Sequence, residues 1–421
     1  MFHQIKKILN NDYTLSVATK VTTALVGVVS SVFSTRYLGV QFKGDYAYVV
    51  NIANLLVLIL NMGIYQSYSY NYKTIGKSIL KKYTDICFLQ FFILLIIAVI
   101  LLISVKDVLT CLIVILVPFN ILMTQYQNIV LIERIRLRMF LVAFNSILLA
   151  FCYFILWAFA SPSIVYVVLL TVAVDVVTVT VYSVGLKVLP RVWEVDPAFL
   201  VKVLKFGWIP MLSALFIRIN YSVDIIFLKH IGIAEELSFY ALAASIISHV
   251  WFIPDAFKDV LFSKSARKFD KENLLFSSQI CSFFIFVCFL VFLVFGKFLI
   301  RVIFGADFVS SYGVTLLLFF GAFSMSIFKL LGIVLISQGR RIVLFISLAV
   351  SAIVNIVLNI VLIPRIGMYG AGLASVCSYS ICALILLLWF CKLYSVRPLQ
   401  LMVPDGGAVR FIKLRLKRKP V

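Results

Sequence analysis

The sequence predicts an all-α integral membrane protein with about 12 transmembrane helices. Among its 421 residues, 63% are hydrophobic and only 13% are charged, and the mean hydropathy is +1.11. Soluble domains carry about a quarter charged residues. A bilayer core about 30 Å thick needs roughly 20 apolar residues per helical crossing, because every backbone amide must find its partner inside the helix. The apolar runs of this chain have that length and lack the period-two alternation of barrel strands.

About twelve apolar runs are long enough to cross the membrane. In chain order they cover residues 14–35, 46–66, 83–105, 107–131, 139–160, 163–186, 206–228, 238–257, 274–300, 312–336, 342–363 and 369–393. The first run follows two lysines, as a signal peptide would, but it contains Lys20 and no small-residue cleavage site closes it. We therefore expect it to remain as the first crossing.

Lysine and arginine collect on one side of this predicted frame. If both termini are inside, the inside segments hold about four times as many of the 38 basic residues as the outside loops. Because cytoplasmic loops are enriched in Lys and Arg, we predict a multi-pass protein of the cytoplasmic (inner) cell membrane with both termini cytoplasmic. The same asymmetry accounts for the net charge of +21 without a nucleic-acid partner.

The cysteines and histidines do not form a pattern typical of a metal site. Most of the eight cysteines lie in the apolar runs, and none forms a C-x-x-C pair. They are typical of small hydrophobic side chains. The three histidines have no carboxylate or cysteine at ligand spacing. We therefore predict no metal and no cofactor.

Two short outside loops resemble each other. The loop 36-RYLGVQFKGD-45 joins the first two runs, and 229-KHIGIAEEL-237 joins the seventh and eighth. In both, a basic residue stands three positions before a glycine, and a Tyr-Ala pair opens the next run. An offset of six crossings predicts two parallel six-helix lobes around a central cavity. The alternative is that two glycine turns agree by chance.

This repeat divides the chain into four predicted segments. We expect an N-lobe at 1–187 with crossings one to six, a cytoplasmic inter-lobe linker at 188–205 with two prolines, and a C-lobe at 206–393 with crossings seven to twelve. A basic cytoplasmic tail follows at 394–421. It contains 410-RFIKLRLKRK-419, which is typical of an arm held near anionic lipid, with a specific partner as the alternative.

Three segments in the right order resemble a known family. They are 36-RYLGVQFKGDYA-47, 218-RINYSVDIIFLKHIG-232 and 355-NIVLNIVLIPRIGMYGAGLASVCSY-379. Together they are similar to the Wzx-like polysaccharide and O-antigen flippases, the polysaccharide transporter branch of the multidrug/oligosaccharidyl-lipid/polysaccharide exporter superfamily. The resemblance covers about residues 10–395. One departure is 235-EELSF-239, where the family often has a glycine before the Tyr-Ala pair.

The resemblance implies a transporter rather than an enzyme. Its substrate would be a polyprenyl-pyrophosphate-linked oligosaccharide, moved by alternating access from the cytoplasmic to the outer leaflet for surface polysaccharide synthesis. A polysaccharide polymerase and other assembly proteins would be partners. Unaided passage is prohibitive because each unpaired polar group costs several kcal/mol in hydrocarbon.

Basic and amide side chains inside the crossings are candidates for binding this substrate. Lys20, Arg218 and Lys329 would attract the pyrophosphate or acidic sugars, and the guanidinium of Arg218 can donate two parallel hydrogen bonds to a phosphate. Asn51 and Asn54 would line the path. The alternatives are that the lysines extend to the membrane surface and that the asparagines hold helices together.

Two acids lie deep in the predicted crossings. Asp175 and Asp224 could bind a proton or a sodium ion and couple its gradient to export. Either could instead be the partner of a buried Lys or Arg.

Two other functions remain as alternatives. A cation-coupled drug exporter of the same superfamily would keep the fold, although the excess of basic over acidic residues in the crossings argues mildly against cationic cargo. A membrane-embedded polysaccharide polymerase or glycosyltransferase is less favoured, because no inside loop carries paired carboxylates, a Ser/His/Asp set or a Gly-rich phosphate loop.

Overall fold

The computed structural model describes residues 12–76, 78–265 and 270–401. Throughout these residues the regular elements are α-helices and short 3-10 turns, and no β-strand occurs. The predicted all-α membrane fold is confirmed. Nine helical stretches in this part of the chain are long and apolar enough to cross a membrane, and two of them contain two predicted runs each.

The α-helices of the described residues are numbered in chain order. They are α1 (Asp12–Leu60), α2 (Ile64–Ile75), α3 (Ile79–Ser104), α4 (Val108–Glu133), α5 (Ile135–Phe159), α6 (Ile164–Leu186), α7 (Pro197–Ile231), α8 (Ala234–Val250), α9 (Phe252–Ser265), α10 (Lys271–Ile303), α11 (Ser311–Ser337) and α12 (Arg341–Tyr394). Each predicted apolar run lies mainly within one of these helices or a consecutive pair. The chain is therefore a multi-pass membrane protein.

The chain divides into two compact units, Met1–Arg218 and Ile219–Val421. We call them unit 1 and unit 2. The boundary between them falls within α7, whereas the sequence places the inter-lobe linker at 188–205. The lobe assignment stays a prediction. Most of the predicted basic tail, residues 402–421, lies outside the described residues.

Two glycines break the long helices α1 and α12 at predicted outer turns. Gly39 has φ 61° and ψ −175°, and Gly367 has φ 55° and ψ −133°. Glycine adopts positive φ readily, whereas other residues meet a steric penalty at Cβ. The chain therefore leaves the helical path at Gly39 alone in α1 and at Ile366 and Gly367 in α12. The predicted loop at 36–45 is helical on both sides of its glycine.

Each unit fastens its glycine-broken turn to another turn. In unit 1 the hydroxyl of Tyr37, before the break in α1, donates to the carbonyl of Ser161 between α5 and α6 at 2.7 Å. In unit 2 the backbone N–H of Met368, after the break in α12, donates to the carboxylate of Glu236 in α8 at 2.9 Å. In each unit, a hydrogen bond joins the turn between the first and second crossings of the predicted lobe to the turn between its fifth and sixth crossings. The donor is a tyrosine hydroxyl in unit 1 and a backbone N–H in unit 2.

The second and eighth runs each contain a break that the sequence analysis does not predict. The second run is interrupted between α1 and α2, where Met62 and Gly63 have positive φ. The eighth is interrupted at Trp251, between α8 and α9. There Pro254 has no N–H to donate to the carbonyl of Val250, the last residue of α8. The second crossing of each predicted lobe is therefore discontinuous.

Side-chain amides form a hydrogen-bonded cluster at the break between α1 and α2, and one of them reaches the backbone. Gln90 of α3 donates to the carbonyl of Leu60 at 2.6 Å. Gln125 of α4 donates to the side-chain oxygen of Asn61 at 3.3 Å and to that of Gln90 at 2.5 Å. A helix can break inside an apolar environment only if the released backbone groups find such partners. These three amides therefore stabilise the break.

The backbone at this break lies directly against α7. A Cβ atom on Gly63 would overlap the carbonyl oxygen of Gly207, and a Cβ on Gly207 would overlap the backbone at Met62 and Gly63. Small residues allow the backbones of membrane helices to approach closely. Both glycines are therefore required for this contact within unit 1.

We expect Gly63→Ala to lower the thermal unfolding midpoint of the purified protein more than Gly339→Ala does. Both positions have positive φ, which costs alanine about 1–2 kcal/mol. A Cβ on Gly339 meets no atom within 4 Å, whereas at Gly63 the helices must separate as well. Equal midpoints for the two variants would contradict the close contact with α7.

Candidate functional site

The candidate site in unit 2 is built around a buried carboxylate. Asp224 of α7 is 3% exposed. Its Oδ2 atom accepts hydrogen bonds from the hydroxyl of Tyr240 in α8 and from that of Ser375 in α12, the latter at 2.7 Å. Its Oδ1 atom is buried and has no hydrogen-bond partner among the described residues. The carboxylate therefore keeps one free acceptor inside the helix packing.

The same face of α7 carries a second polar side chain one turn earlier. Asn220 accepts a hydrogen bond at its side-chain oxygen from Ser351 at 2.8 Å. Its backbone carbonyl accepts one from the hydroxyl of Tyr379 at 3.0 Å. Both partners belong to α12. The polar cluster thus joins α7 to both halves of the broken α12.

Two asparagines extend the cluster along α12. The amide of Asn355 donates to the hydroxyl of Ser378 at 2.9 Å. The amide of Asn359 donates to the side-chain oxygen of Asn355 at 2.9 Å. All three side chains are fully buried, and the side-chain oxygen of Asn359 has no donor in the described part of the chain. A second oxygen is therefore left without a partner.

Helical spacing brings these residues together. Asn220 and Asp224 are four residues apart on α7, and Ser351, Asn355 and Asn359 recur every four residues on α12, so each set shares one helix face. Of this cluster, only Asp224 is predicted from the sequence as a site residue. The N-x-x-x-N spacing on α12 was the signal that could have found the asparagines.

The cluster has the chemistry of a small cation or proton site. An ionised carboxylate buried without compensation costs several kcal/mol, so it favours a proton or a bound cation. Carboxylate, amide and hydroxyl oxygens are the ligands that hard cations prefer. No group of three or more His, Cys, Asp or Glu side chains at metal spacing occurs within the described residues. The side chains named in this cluster therefore present oxygen acceptors, which match a proton or a hard cation.

The other nominated acid, Asp175, lies on α6 in unit 1. It is 9% exposed, and its Oδ2 atom has no hydrogen-bond partner among the described residues. One turn further along α6, Thr178 accepts a hydrogen bond from Asn145 of α5 at 2.7 Å. Asp175 is thus buried like Asp224 but has fewer polar neighbours.

Lys329 of α11 is held by an acid that the sequence analysis missed. Its ammonium lies 2.7 Å from the carboxylate of Asp255 in α9 and 4.6 Å from the ring centre of Trp251. Lys258 approaches the same carboxylate at 3.0 Å. Lys329 is 9% exposed at its side chain. One carboxylate therefore bridges two lysines beside the break in the eighth run.

The two other nominated cations lie elsewhere. Lys20 is exposed on α1. Arg218 is half-buried on α7, and its positive charge interacts electrostatically with the phenol of Tyr65 in α2. Both belong to unit 1, whereas Lys329 belongs to unit 2.

The nominated asparagines Asn51 and Asn54 are half-buried on α1. The amide of Asn51 donates to the carbonyl of Ala47 on its own helix at 2.8 Å. Their roles in substrate binding stay predictions.

No family model and no curated protein sequence matches this chain. Solved structures with a similar fold do exist. One is the lipid II flippase MurJ in an inward closed conformation, with a TM-score of 0.69 and 14% identity, covering 97% of this chain and 94% of that chain.

Two multidrug transporters are also similar. The eukaryotic MATE transporter AtDTX14 has a TM-score of 0.58 and 13% identity, with 99% of each chain covered. A multidrug resistance MATE family transporter of the MOP superfamily, in an outward-facing conformation, has a TM-score of 0.58 and 12% identity, covering 92% of this chain and 97% of that chain. The chain has the fold of these transporters. The likeness extends over nearly the whole chain in each case.

We expect Asp255→Asn and Lys329→Met each to destabilise the protein by about 1–3 kcal/mol, because the first leaves the buried ammonium of Lys329 without its carboxylate and the second removes the more buried of the two ion pairs of Asp255. The double variant should be more stable than the sum of the single effects predicts, by at least about 1 kcal/mol. Thermal unfolding midpoints of the four proteins in one detergent measure this coupling.

Lys258→Met is the matched control, since Lys258 is 33% exposed at its side chain and its ion pair should contribute less. Additive single effects of Lys329→Met and Asp255→Asn would contradict the coupled ion pair.

Proposed function

We propose that the chain flips a polyprenyl-pyrophosphate-linked oligosaccharide from the cytoplasmic to the outer leaflet. The observation that carries the proposal is the likeness to a lipid II flippase over nearly the full length of both chains. The motifs at 36–47, 218–232 and 355–379 support an oligosaccharide cargo. Alternating access would expose the same binding residues to each side in turn.

Arg218 is the residue we propose to contact the pyrophosphate directly. It is half-buried on α7, six residues before the buried Asp224. A planar guanidinium can bind phosphate oxygens through two parallel hydrogen bonds, which an ammonium cannot do. Lys20, which is exposed, would attract the anion at an earlier stage.

Lys329 would bind the substrate at a later step than Lys20 and Arg218, and only under one condition. Because Asp255 already holds its ammonium, Lys329 can bind an anionic substrate only when that ion pair opens. An anion that approaches would compete with Asp255 for Lys329 and Lys258 together.

Asp224 is the residue we propose for coupling to a proton or sodium gradient. Its Oδ1 atom, which has no hydrogen-bond partner among the described residues, would bind the ion. The hydroxyl groups of Tyr240 and Ser375 would hold the carboxylate in position through its other oxygen. Residues from α7, α8 and α12 meet there, so occupation of the site by an ion can alter how these helices pack. Asp175 is a second candidate in unit 1.

A drug exporter is the second candidate function. It is favoured by the likeness to MATE transporters, two of which match at a TM-score of 0.58. The two functions differ in the charge of the cargo. A cationic drug would be repelled by Arg218 and attracted to a deprotonated Asp224, whereas a pyrophosphate would experience the opposite.

We further propose the inner cell membrane as the location, with both termini in the cytoplasm. This follows from the excess of Lys and Arg on the predicted inner side. A polysaccharide polymerase and other assembly proteins would then receive the flipped unit at the outer leaflet.

Cells depleted of the protein should accumulate complete lipid-linked oligosaccharide in the inner leaflet. An enzyme or lectin that reaches only the outer leaflet measures the exposed fraction. We expect at least a tenfold loss of exposure. Normal exposure combined with sensitivity to cationic drugs would instead support the exporter function.

In the same cells, Arg218→Ala should abolish rescue, and Arg218→Lys should restore it only in part because it loses the two-point contact. Arg301→Ala, at the far end of α10 and exposed, is the matched control and should rescue fully. The phosphate role fails if Arg218→Ala rescues as well as Arg218→Lys.

The exposure of lipid-linked oligosaccharide should depend on the ion gradient and on Asp224. Asp224→Asn should lose the acceleration that a proton or sodium gradient gives, because an amide neither ionises nor balances a cation. Asp175→Asn tests the second acid in the same way. Transport by the unaltered protein that is insensitive to both gradients would remove the coupling proposal.

A further inference from the structure

The segment between α6 and α7 exposes two large apolar side chains. Leu189 is 85% exposed and Trp193 is 83% exposed. Their neighbours Val188 and Val195 pack against the buried core of unit 1. One side of this segment therefore faces the protein, and the other exposes leucine and tryptophan directly after α6, a helix long and apolar enough to cross a membrane. Tryptophan is enriched where a protein meets the bilayer surface.

Ion pairs fix the segment to the start of α3. Lys81 pairs with Glu194, and Lys82 pairs with Asp196 at 3.3 Å. Hydrogen bonds from Lys81 and Arg191 hold the pKa of Glu194 below its usual value. The segment thus has a defined position, and its two acids are already matched by basic residues.

A hydrogen bond to a buried acid of α3 also holds this segment. The backbone N–H of Arg191 donates to the carboxylate of Asp85 at 2.6 Å, and Asp85 is only 2% exposed. This hydrogen bond holds the backbone two residues before Trp193, so the position of the exposed tryptophan is defined by the fold.

A groove of about 380 Å³ runs between this segment and helices α3 and α6. Its walls are mainly apolar and include Phe88 of α3, Val179 and Val184 of α6, and Leu189 of the segment. Lys187, directly after the last residue of α6, is the basic residue in the lining. Lys187 is exposed, and the described part of the chain contains no ion pair to its ammonium.

We propose that this groove binds one anionic phospholipid, with an acyl chain along the apolar walls and the headgroup phosphate at Lys187. Leu189 and Trp193 would enter the bilayer surface beside it. By the predicted orientation this is the cytoplasmic leaflet. A free phosphate ion would gain nothing from the apolar walls, whereas a phospholipid matches both the walls and the charge. The site is independent of the cargo that the protein moves.

A second groove provides a control on the same protein. It has about 390 Å³ and lies between α5 and α6, where its lining includes Cys152, Tyr166 and Leu169 but no basic residue. It has almost the same size and apolar character. It should therefore hold acyl chains without preference for the headgroup.

The test uses the purified full-length protein, stripped of lipid and titrated with phosphatidylglycerol or phosphatidylcholine. Native mass spectrometry counts the bound lipids. We expect one phosphatidylglycerol to bind more tightly than phosphatidylcholine. Lys187→Gln should lower the affinity for phosphatidylglycerol about fivefold. This is the effect expected from about 1 kcal/mol per basic side chain at an anionic surface. Lys106→Gln, with the same charge change at the other end of α3, should have no effect.

A pair of groove-filling variants tests the apolar walls. Val184→Trp should remove the tight phosphatidylglycerol, whereas Leu169→Trp in the control groove should leave it bound. Equal binding of the two lipids, or full retention in Lys187→Gln, would overturn the proposal. Displacement of the lipid by millimolar inorganic phosphate would also overturn it, because the site would then be one for the free ion.

Discussion

Inside a bilayer a polar group that leaves its helical partner finds no water, and this constraint explains most of the structure. At the break between α1 and α2, the amide of Gln90 donates to the backbone carbonyl of Leu60, and Gln125 donates to the side chains of Asn61 and Gln90. The carboxylates of Asp224 and Asp255 are buried or half-buried for related reasons, one among hydroxyl groups and the other between two lysines. At Asp224 the match is incomplete, because one carboxylate oxygen has no hydrogen-bond partner among the described residues.

The sequence predicts the outline of the fold because a membrane crossing needs only length and hydrophobicity. It also locates the turns at Gly39 and Gly367, where a backbone conformation demands glycine. It does not predict the break after Leu60, because hydropathy averages over a window longer than the break. Pro254, inside the eighth run, is a local signal for the break at Trp251. The run is nevertheless long and apolar enough to be predicted as one continuous crossing.

The candidate site could be predicted only in part, because most of its members act through partners distant in sequence. Asp224 stands out as an acid in an apolar helix. Asp255 does not, since it lies near the end of its run, and only folding shows that it meets Lys329, which is 74 residues away. Spacing alone identifies residues on one face of a helix, but which helix that face meets is decided by packing. A lipid II flippase and multidrug MATE transporters both resemble this chain in fold, so the fold alone does not identify a cargo.

The most direct test of the proposed function uses the purified protein in liposomes with a fluorescent polyprenyl-pyrophosphate oligosaccharide. A quencher that cannot cross the membrane reports the fraction in the outer leaflet over time. The proposal predicts protein-dependent movement of this lipid, loss of movement in Arg218→Ala, and no movement of a fluorescent phosphatidylcholine. Movement of neither lipid under any gradient, or equal movement of both, would contradict it.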